Sequence, residues 1–311
     1  MKRPIFVVDV FTKEPLLGNA AGVLLDAEDL DSGTLQRIAA EMKHAETAFP
    51  LPPREPSSAF HLRWFTPAME VTFCGHATLA TLVVLAGEVE RIRVPDQGVH
   101  RIAFTCKAGR LHAELSRDDQ RRLRIQVETP FASFVPERIA GELIAALGLT
   151  TEVLEPALPP RRTAPGVASS VGTSNLFLCL RDREALARAR PDFPRVAAIC
   201  REKEVGGVIL YARAPAAGVD AAMRCFFPGD AGVEEDAVTG SAAGQLGILL
   251  HETRPAALPR HFIFTQGDEL GRPGRVEVEI RPSGTEGELR AWIGGGATVV
   301  LRGELDLGGL S

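Results

Sequence analysis

Glu70-Val71-Thr72-Phe73-Cys74-Gly75-His76-Ala77-Thr78 and, in the other half of the chain, Glu234-Glu235-Asp236-Ala237-Val238-Thr239-Gly240-Ser241-Ala242 share one pattern. Each runs from acidic residues through a small, glycine-containing turn into an apolar stretch. Gly75 to Ala86 is almost wholly small or apolar, so a helix there is expected to be buried on all sides. Thr239 to Leu250 predicts a second helix of the same kind. A helix start leaves backbone N–H groups without internal partners, and these point toward anything negative placed before them. Two such starts facing one cleft, with acid/base side chains between them, suit chemistry on a small carboxylate-bearing molecule.

Around each phrase the sequence reads as strand. In the first half, Ile5 to Val10 and Gly22 to Leu25 are strand-like and flank a turn at Gly18-Asn19. Asp29-Leu30-Asp31-Ser32 offers capping side chains to a helix whose buried stripe is Leu35, Ile38, Ala39 and Met42. Strands are expected around Thr47 to Leu51, Phe60 to Thr66, Arg91 to Val94, Ile102 to Cys106, Leu111 to Leu115 and Leu123 to Val127. The second half predicts a helix opening near Pro136, with Ile139, Leu143, Ile144 and Leu147 in register and an end at Gly148. Pro156 to Pro165 reads as loop or edge. Strand Leu176 to Leu180, helices Arg183 to Ala189 and Val196 to Lys203, and strands Val208 to Ala212 and Ala222 to Phe227 lead to the second turn. Four strands close the chain, at Phe262 to Gln266, Val276 to Ile280, Leu289 to Ile293 and Thr298 to Leu301. The expectation is an α+β protein of two pseudo-duplicated domains, each a mixed or antiparallel sheet wrapped around a central apolar helix. The lobes are placed at 1–128 and 129–311, divided at Glu128-Thr129-Pro130, with the last strand near 298–311 able to pack on the first lobe.

Bulk properties narrow the partners. The chain has 311 residues, enough for one large or two ordinary domains, at 45% hydrophobic and 24% charged. A net charge of -5 offers no attraction to nucleic acid or an anionic membrane. No apolar run approaches the roughly 20 residues that span a bilayer. Met1-Lys2-Arg3-Pro4 leads straight into a strand and does not resemble a cleaved signal. Cys74, Cys106, Cys179, Cys200 and Cys225 are scattered, odd in number and without CxxC spacing. Reduced thiols in a cytoplasmic protein are expected, with neither a disulfide framework nor a zinc site.

Glu46 lies among Ala45, Ala48 and Phe49; desolvated there, it suits proton shuttling, and left in solvent it is a surface glutamate at an element junction. His76 opens a buried helix, where an imidazole passes or holds a proton. Cys-x-His is not a usual metal spacing, and no metal is expected. Asp236 either orients the substrate or its partner His, or caps the helix beginning near Thr239. Ser241 is not in a Gly-x-Ser-x-Gly elbow, so it suits hydrogen bonding to a carboxylate better than nucleophilic attack. Gly75 and Gly240, with the amides after them (Ala77 and Ser241 among these), are candidates for an anion cradle. Asn19 and Cys74 are further candidates for ligand contact.

The chain resembles the PhzF-like family named for phenazine biosynthesis, whose fold is that of diaminopimelate epimerase and proline racemase. The resemblance covers nearly the whole length. It rests on Val8-Asp9-Val10-Phe11-Thr12 with Gly18-Asn19, on Glu46-Thr47-Ala48-Phe49, and on Arg63-Trp64-Phe65-Thr66-Pro67 with Cys74-Gly75-His76-Ala77-Thr78. It continues through Phe226-Phe227-Pro228, Glu235-Asp236-Ala237-Val238-Thr239-Gly240-Ser241-Ala242, Gln266-Gly267 and Gly271-Arg272-Pro273. The family pattern differs at Ala20, Ala237, Ala243 and the approach Lys43-His44-Ala45. The resemblance implies cofactor-independent isomerisation by proton transfer at a domain interface, in a protein often found as a homodimer. It places the catalytic carboxylate at Glu46, the assisting His at His76, and the second-half Asp and Ser at Asp236 and Ser241. Two other functions fit the sequence. One is a cysteine-dependent racemase or epimerase of the same fold, using Cys74; the other is a small-ligand binding or interaction protein without turnover.

Overall fold

The computed structural model describes residues 1–130, 132–136, 141–154, 166–170, 173–213, 218–229, 233–284 and 288–308. The first strand, β1 (Lys2–Val10), carries the apolar run Ile5 to Val8 and is buried on both faces from Ile5 to Val10. It turns back through Gly18 and pairs antiparallel with β2 (Asn19–Leu24), Val10 lying opposite Asn19. Gly18 has φ +61, and a Cβ there would run into the Val10 carbonyl, so the turn needs glycine. Asp31 accepts the Thr34 N–H at 2.7 Å and starts α1 (Ser32–Met42). Leu35, Ile38 and Ala39 of that helix pack with Ile5, Leu24, Phe49 and Phe65.

Lys43, left-handed at φ 55, ends α1 and turns the chain into β3 (Glu46–Leu51), which runs parallel to β2. β4 (His61–Phe65) is antiparallel to β3, and the two-residue β5 (Glu70–Val71) folds back on β4. Then comes α2 (Gly75–Val83), prolonged by a π-helical turn at Val84–Glu88; every residue of α2 but Val83 is buried. β6 (His100–Cys106) runs parallel to β4, and β7 (Gly109–Arg117) and β8 (Leu123–Glu128) continue as an antiparallel meander. The strand expected over Arg91 to Val94 does not form. Glu90 turns left-handed at φ 50, and the Ile92 N–H closes onto the Leu85 carbonyl at 3.0 Å, so these residues seal the end of the π-helical turn.

The second half opens with a strand, β9 (Ala132–Pro136), where the sequence predicted a helix start at Pro136. The helix α3 (Gly141–Ala146) begins later; Leu143, Ile144 and Leu147 are buried, and Gly148 at φ +69 ends it as expected. Ile139 and the stretch Pro156 to Pro165 lie outside the described residues. β10 (Gly166–Ser170), which the sequence did not signal, pairs antiparallel with β9 and with β11 (Thr173–Leu180). After α4 (Arg183–Arg188) and α5 (Phe193–Glu202), β12 (Gly207–Arg213) runs parallel to β11, and β13 (Ala221–Phe226) is antiparallel to β12. Leu176, Leu178, Val208 and Leu210 on one sheet face pack with α3, α4 and α5.

The two-residue β14 (Glu235–Asp236) folds back on β13 and leads to α6 (Gly240–Thr253), buried except at Ser241 and Glu252. β15 (Arg260–Gln266) runs parallel to β13, β16 (Gly274–Pro282) is antiparallel to β15, and β17 (Leu289–Gly294) comes next. From β10 to β16 the order of antiparallel and parallel pairings repeats that from β1 to β7. This repetition is the pseudo-duplication, and it makes the α+β, diaminopimelate epimerase-like fold.

The last strand, β18 (Ala297–Asp306), lies antiparallel along all of β1, from Val10 opposite Ala297 to Lys2 opposite Asp306. It takes beside β1 the place that β9 takes beside β10. Met1–Thr129 with Ile293–Ser311 form one compact unit, and Pro130–Trp292 form the other. Among the described residues no helix is long and apolar enough to cross a membrane.

Candidate active site

In the first unit three of the expected residues meet. Glu46 is the first residue of β3, set beside Ala21 of β2, and Asn19 two residues earlier in β2 shares that sheet face. His76 sits in the first turn of α2 and is 4% exposed; its Nε2 lies 3.3 Å from Glu46 Oε2, whose side chain is 19% exposed. Cys74, the N-cap residue of α2, brings its Sγ to 3.4 Å from His76 Nδ1. The donor atoms of Glu46, Cys74 and His76 fall within 4.8 Å of one another, a set with metal-ligand chemistry that sequence spacing did not reveal, because Glu46 comes from another element. The imidazole stands between the other two, one ring nitrogen toward the thiol and the other toward the carboxylate. That is the order of a proton chain, with a contact long enough to tighten when a ligand binds. Asn19 is buried at the start of β2, Gly75 opens α2, and Ala77 has no accessible surface.

In the second unit Asp236 ends β14, opposite Cys225 of β13. Its Oδ2 accepts the Thr239 hydroxyl at 2.6 Å. Asp236 therefore does not cap α6 directly; Thr239 is the N-cap residue, and no side chain caps the helix. Gly240 is buried, whereas Ser241 is where the first turn of the helix reaches accessible surface. Gln266, at the end of β15, holds the turn: its Oε1 accepts the Thr239 N–H (3.0 Å) and its Nε2 donates to the Asp236 carbonyl (2.8 Å). Cys225 directs its Sγ to the same Gln266 Oε1 at 3.4 Å, and burial pushes its thiol far up.

The two sites correspond position by position. Phe65 faces Glu70 across β4 and β5, and Phe226 faces Glu235 across β13 and β14. Counting on to the helix starts, Val71 matches Asp236, Cys74 matches Thr239, Gly75 matches Gly240, and His76 matches Ser241. His76 and Asp236 are thus not counterparts, although both belong to the expected site. Each two-residue strand is too short to be held by its own ladder, and an arginine fastens it. Arg63 donates to both carboxylate oxygens of Glu70 (2.8 and 2.9 Å) and lies 4.9 Å over Phe65. Arg224 does the same to Glu235 (2.8 and 2.9 Å) and lies 5.0 Å over Phe226. Burial raises the Glu70 pKa, but hydrogen bonds and charge from Arg63 and Lys107 outweigh it and the net shift is downward. The sequence carried this signal as Arg-x-Phe ahead of each glutamate, and only the folded register identifies it as a repeat.

The family model described as "Phenazine biosynthesis-like protein" matches residues 8–303. A protein of Deinococcus radiodurans named as an uncharacterized isomerase is 36% identical over 304 residues, 95% of this chain and 92% of its own. The trans-2,3-dihydro-3-hydroxyanthranilate isomerase of Pseudomonas aeruginosa is 32% identical over 278 residues, 89% of this chain and 90% of its own. The solved structure of a predicted epimerase from Pseudomonas aeruginosa superposes with a TM-score of 0.77 at 28% identity, covering 97% of this chain and 99% of that one. Family match, isomerase relatives and epimerase-like backbone agree along nearly the full length. The chain belongs to the phenazine biosynthesis-like (PhzC-PhzF) family and, with its relatives, to the isomerases.

Proposed function

We propose that the chain isomerises a small carboxylate-bearing molecule by moving a proton between carbon positions, with Glu46 as general acid/base. The observation that carries this is the Cys74–His76–Glu46 chain, with the imidazole 3.3 Å from the carboxylate at the start of a buried helix. A carboxyl beside an imidazole can accept a proton from an activated carbon and return it, which side chains perform without a cofactor. In this reading His76 holds the carboxyl in place and shares its proton. Asp236 supplies the acid/base group of the second unit, where Ser241 and the amides opening α6 suit a carboxylate. The five described cysteines are free and buried, in keeping with a reducing, cytoplasmic setting.

Glu46→Gln tests the assignment. With trans-2,3-dihydro-3-hydroxyanthranilate and a panel of small amino and hydroxy acids in deuterated water, the wild type is expected to place deuterium on carbon. The variant is expected to lose roughly 100- to 10,000-fold in that rate; exchange at the wild-type rate rejects Glu46 as the acid/base. The contact between Cys74 and His76 favours a second reading, a cysteine-dependent epimerase, against which stands Thr239 at the position equivalent to Cys74. Retained exchange after complete thiol alkylation rejects it.

A further inference from the structure

In the second unit one buried side chain spends its polar atoms on the turn before α6. Gln266 is 3% exposed. Its Oε1 accepts the Thr239 N–H at 3.0 Å, and its Nε2 donates to the Asp236 carbonyl at 2.8 Å and contacts the Thr239 hydroxyl at 3.2 Å. The backbone partners settle which end of the amide is which, because a backbone N–H only donates and a carbonyl only accepts. The amide nitrogen has no lone pair to offer, so the Thr239 hydroxyl is the acceptor in their contact. Its single proton is left for Asp236 Oδ2, which at 2.6 Å is a stronger acceptor than the Cys225 sulfur that also meets this hydroxyl. Gly267, at φ +97, keeps the end of β15 tight on this turn, for a Cβ there would meet the Ala237 carbonyl at 2.8 Å. An orientation fixed by the main chain thus passes through Gln266 and Thr239 to one oxygen of one carboxyl.

We propose that Gln266 and Thr239 are positioning residues for proton transfer at Asp236: they commit Oδ2 as an acceptor, so a proton carried by this carboxyl sits on Oδ1. The inference rests on the isomerase reading, in which Asp236 exchanges a proton with a ligand carbon. In that step the O–H bond at Oδ1 breaks as a C–H bond forms, and the O–H electron pair stays on the carboxylate. The new C–H bond uses the electron pair left on the ligand when a proton is taken from its other carbon, and that proton, exchanged with solvent, restores the acid at Asp236. A carboxyl whose partner turns freely presents its proton from either oxygen, whereas one with a fixed acceptor presents it from one place. The first unit is an internal comparison: Val71 and Cys74 stand where Asp236 and Thr239 stand, so the repeated backbone does not itself demand the chain.

Thr239→Val keeps the side-chain shape and removes the donor, and Thr239→Ser puts it back. The infrared carboxylate band of Asp236, assigned by its loss in Asp236→Asn, is read on protein without substrate. The band is expected to move in Thr239→Val and return in Thr239→Ser. With trans-2,3-dihydro-3-hydroxyanthranilate, kcat of Thr239→Val is expected to fall at least about 10-fold with KM within about twofold, and Thr239→Ser to restore it. An unmoved band in folded Thr239→Val overturns the placement, and a moved band with unchanged kcat overturns its role. Gln266→Glu, which swaps the amide donor for an acceptor at nearly equal volume, is expected to move the same band should Thr239→Val not fold; no movement overturns the placement. A wild type that exchanges no deuterium into this substrate counts against the isomerase reading alone, and the infrared arm still judges Gln266 and Thr239.

Discussion

At the scale of single residues, the first unit holds two buried histidines in different service. His76 faces a thiol and a carboxylate, whereas His61 packs inside the sheet with Nδ1 2.9 Å from the Thr105 hydroxyl. Burial first, and then the charges of Arg54 and Arg63, hold the His61 pKa below its usual value. A histidine shifted downward is neutral in the folded state while the unfolded chain takes up a proton near pH 6.5. Its contribution to stability is therefore complete above that pH and is lost as pH falls through the folded pKa. His61→Asn is expected to be less stable than wild type near pH 8, and the gap to narrow toward pH 5. Urea midpoints at both pH values measure it, and a gap that stays constant or widens in acid contradicts a buried neutral His61. The glycine-led helix start marked His76 in the sequence, and nothing marked His61; what each ring does is set by the atoms that other elements bring to it.

At the scale of elements, β5 and β14 do the positioning, and neither was legible as a strand, being two residues long. The helices α2 and α6 behind them were legible, because a glycine-led apolar run signals a buried helix whichever strand precedes it. Glu46, His76 and Cys74 could each be picked out separately, but their meeting depends on β3 lying beside β2, which is a property of pairing and not of spacing. The arginine fasteners carry a testable energy. Arg224 is 6% exposed and Glu235 14% exposed in their ion pair, and Arg224 also donates to the Leu186 and Ala189 carbonyls at 3.2 and 2.9 Å. Arg224→Met strands a buried carboxylate and is expected to cost about 3–5 kcal/mol. Arg224→Met with Glu235→Leu is expected to recover part of that, short of full recovery because the two carbonyls stay without their donor. Chemical denaturation measures both variants; a single-variant loss below about 1 kcal/mol shows that the fastener is not what holds β14.

At the scale of the whole chain, the second unit is one continuous segment and the first is not. The chain leaves the first unit after Thr129 and comes back at Ile293. The β-branched and apolar run Thr298-Val299-Val300-Leu301 made a strand legible there, but its ten-residue length and its partner are set by β1, at the other end of the sequence. Where β10 has β9 as its antiparallel neighbour from the same segment, β1 relies on the C-terminus. The first unit should then depend on residues that its own N-terminal 129 do not contain. A chain stopped after Gly296 leaves β1 without β18 along its full length, and strips the cover from Val7 and Val8, which lie opposite Leu301 and Val299. Unpaired backbone and uncovered apolar side chains along a nine-residue strand are costs that a marginally stable unit does not absorb. Hydrogen exchange on the truncated protein is expected to show β1 and β2 amides unprotected while the α6, β15 and β16 amides stay protected. Protection of β1 equal to that in the full chain contradicts the dependence, and loss of protection throughout shows that the second unit does not stand without the first.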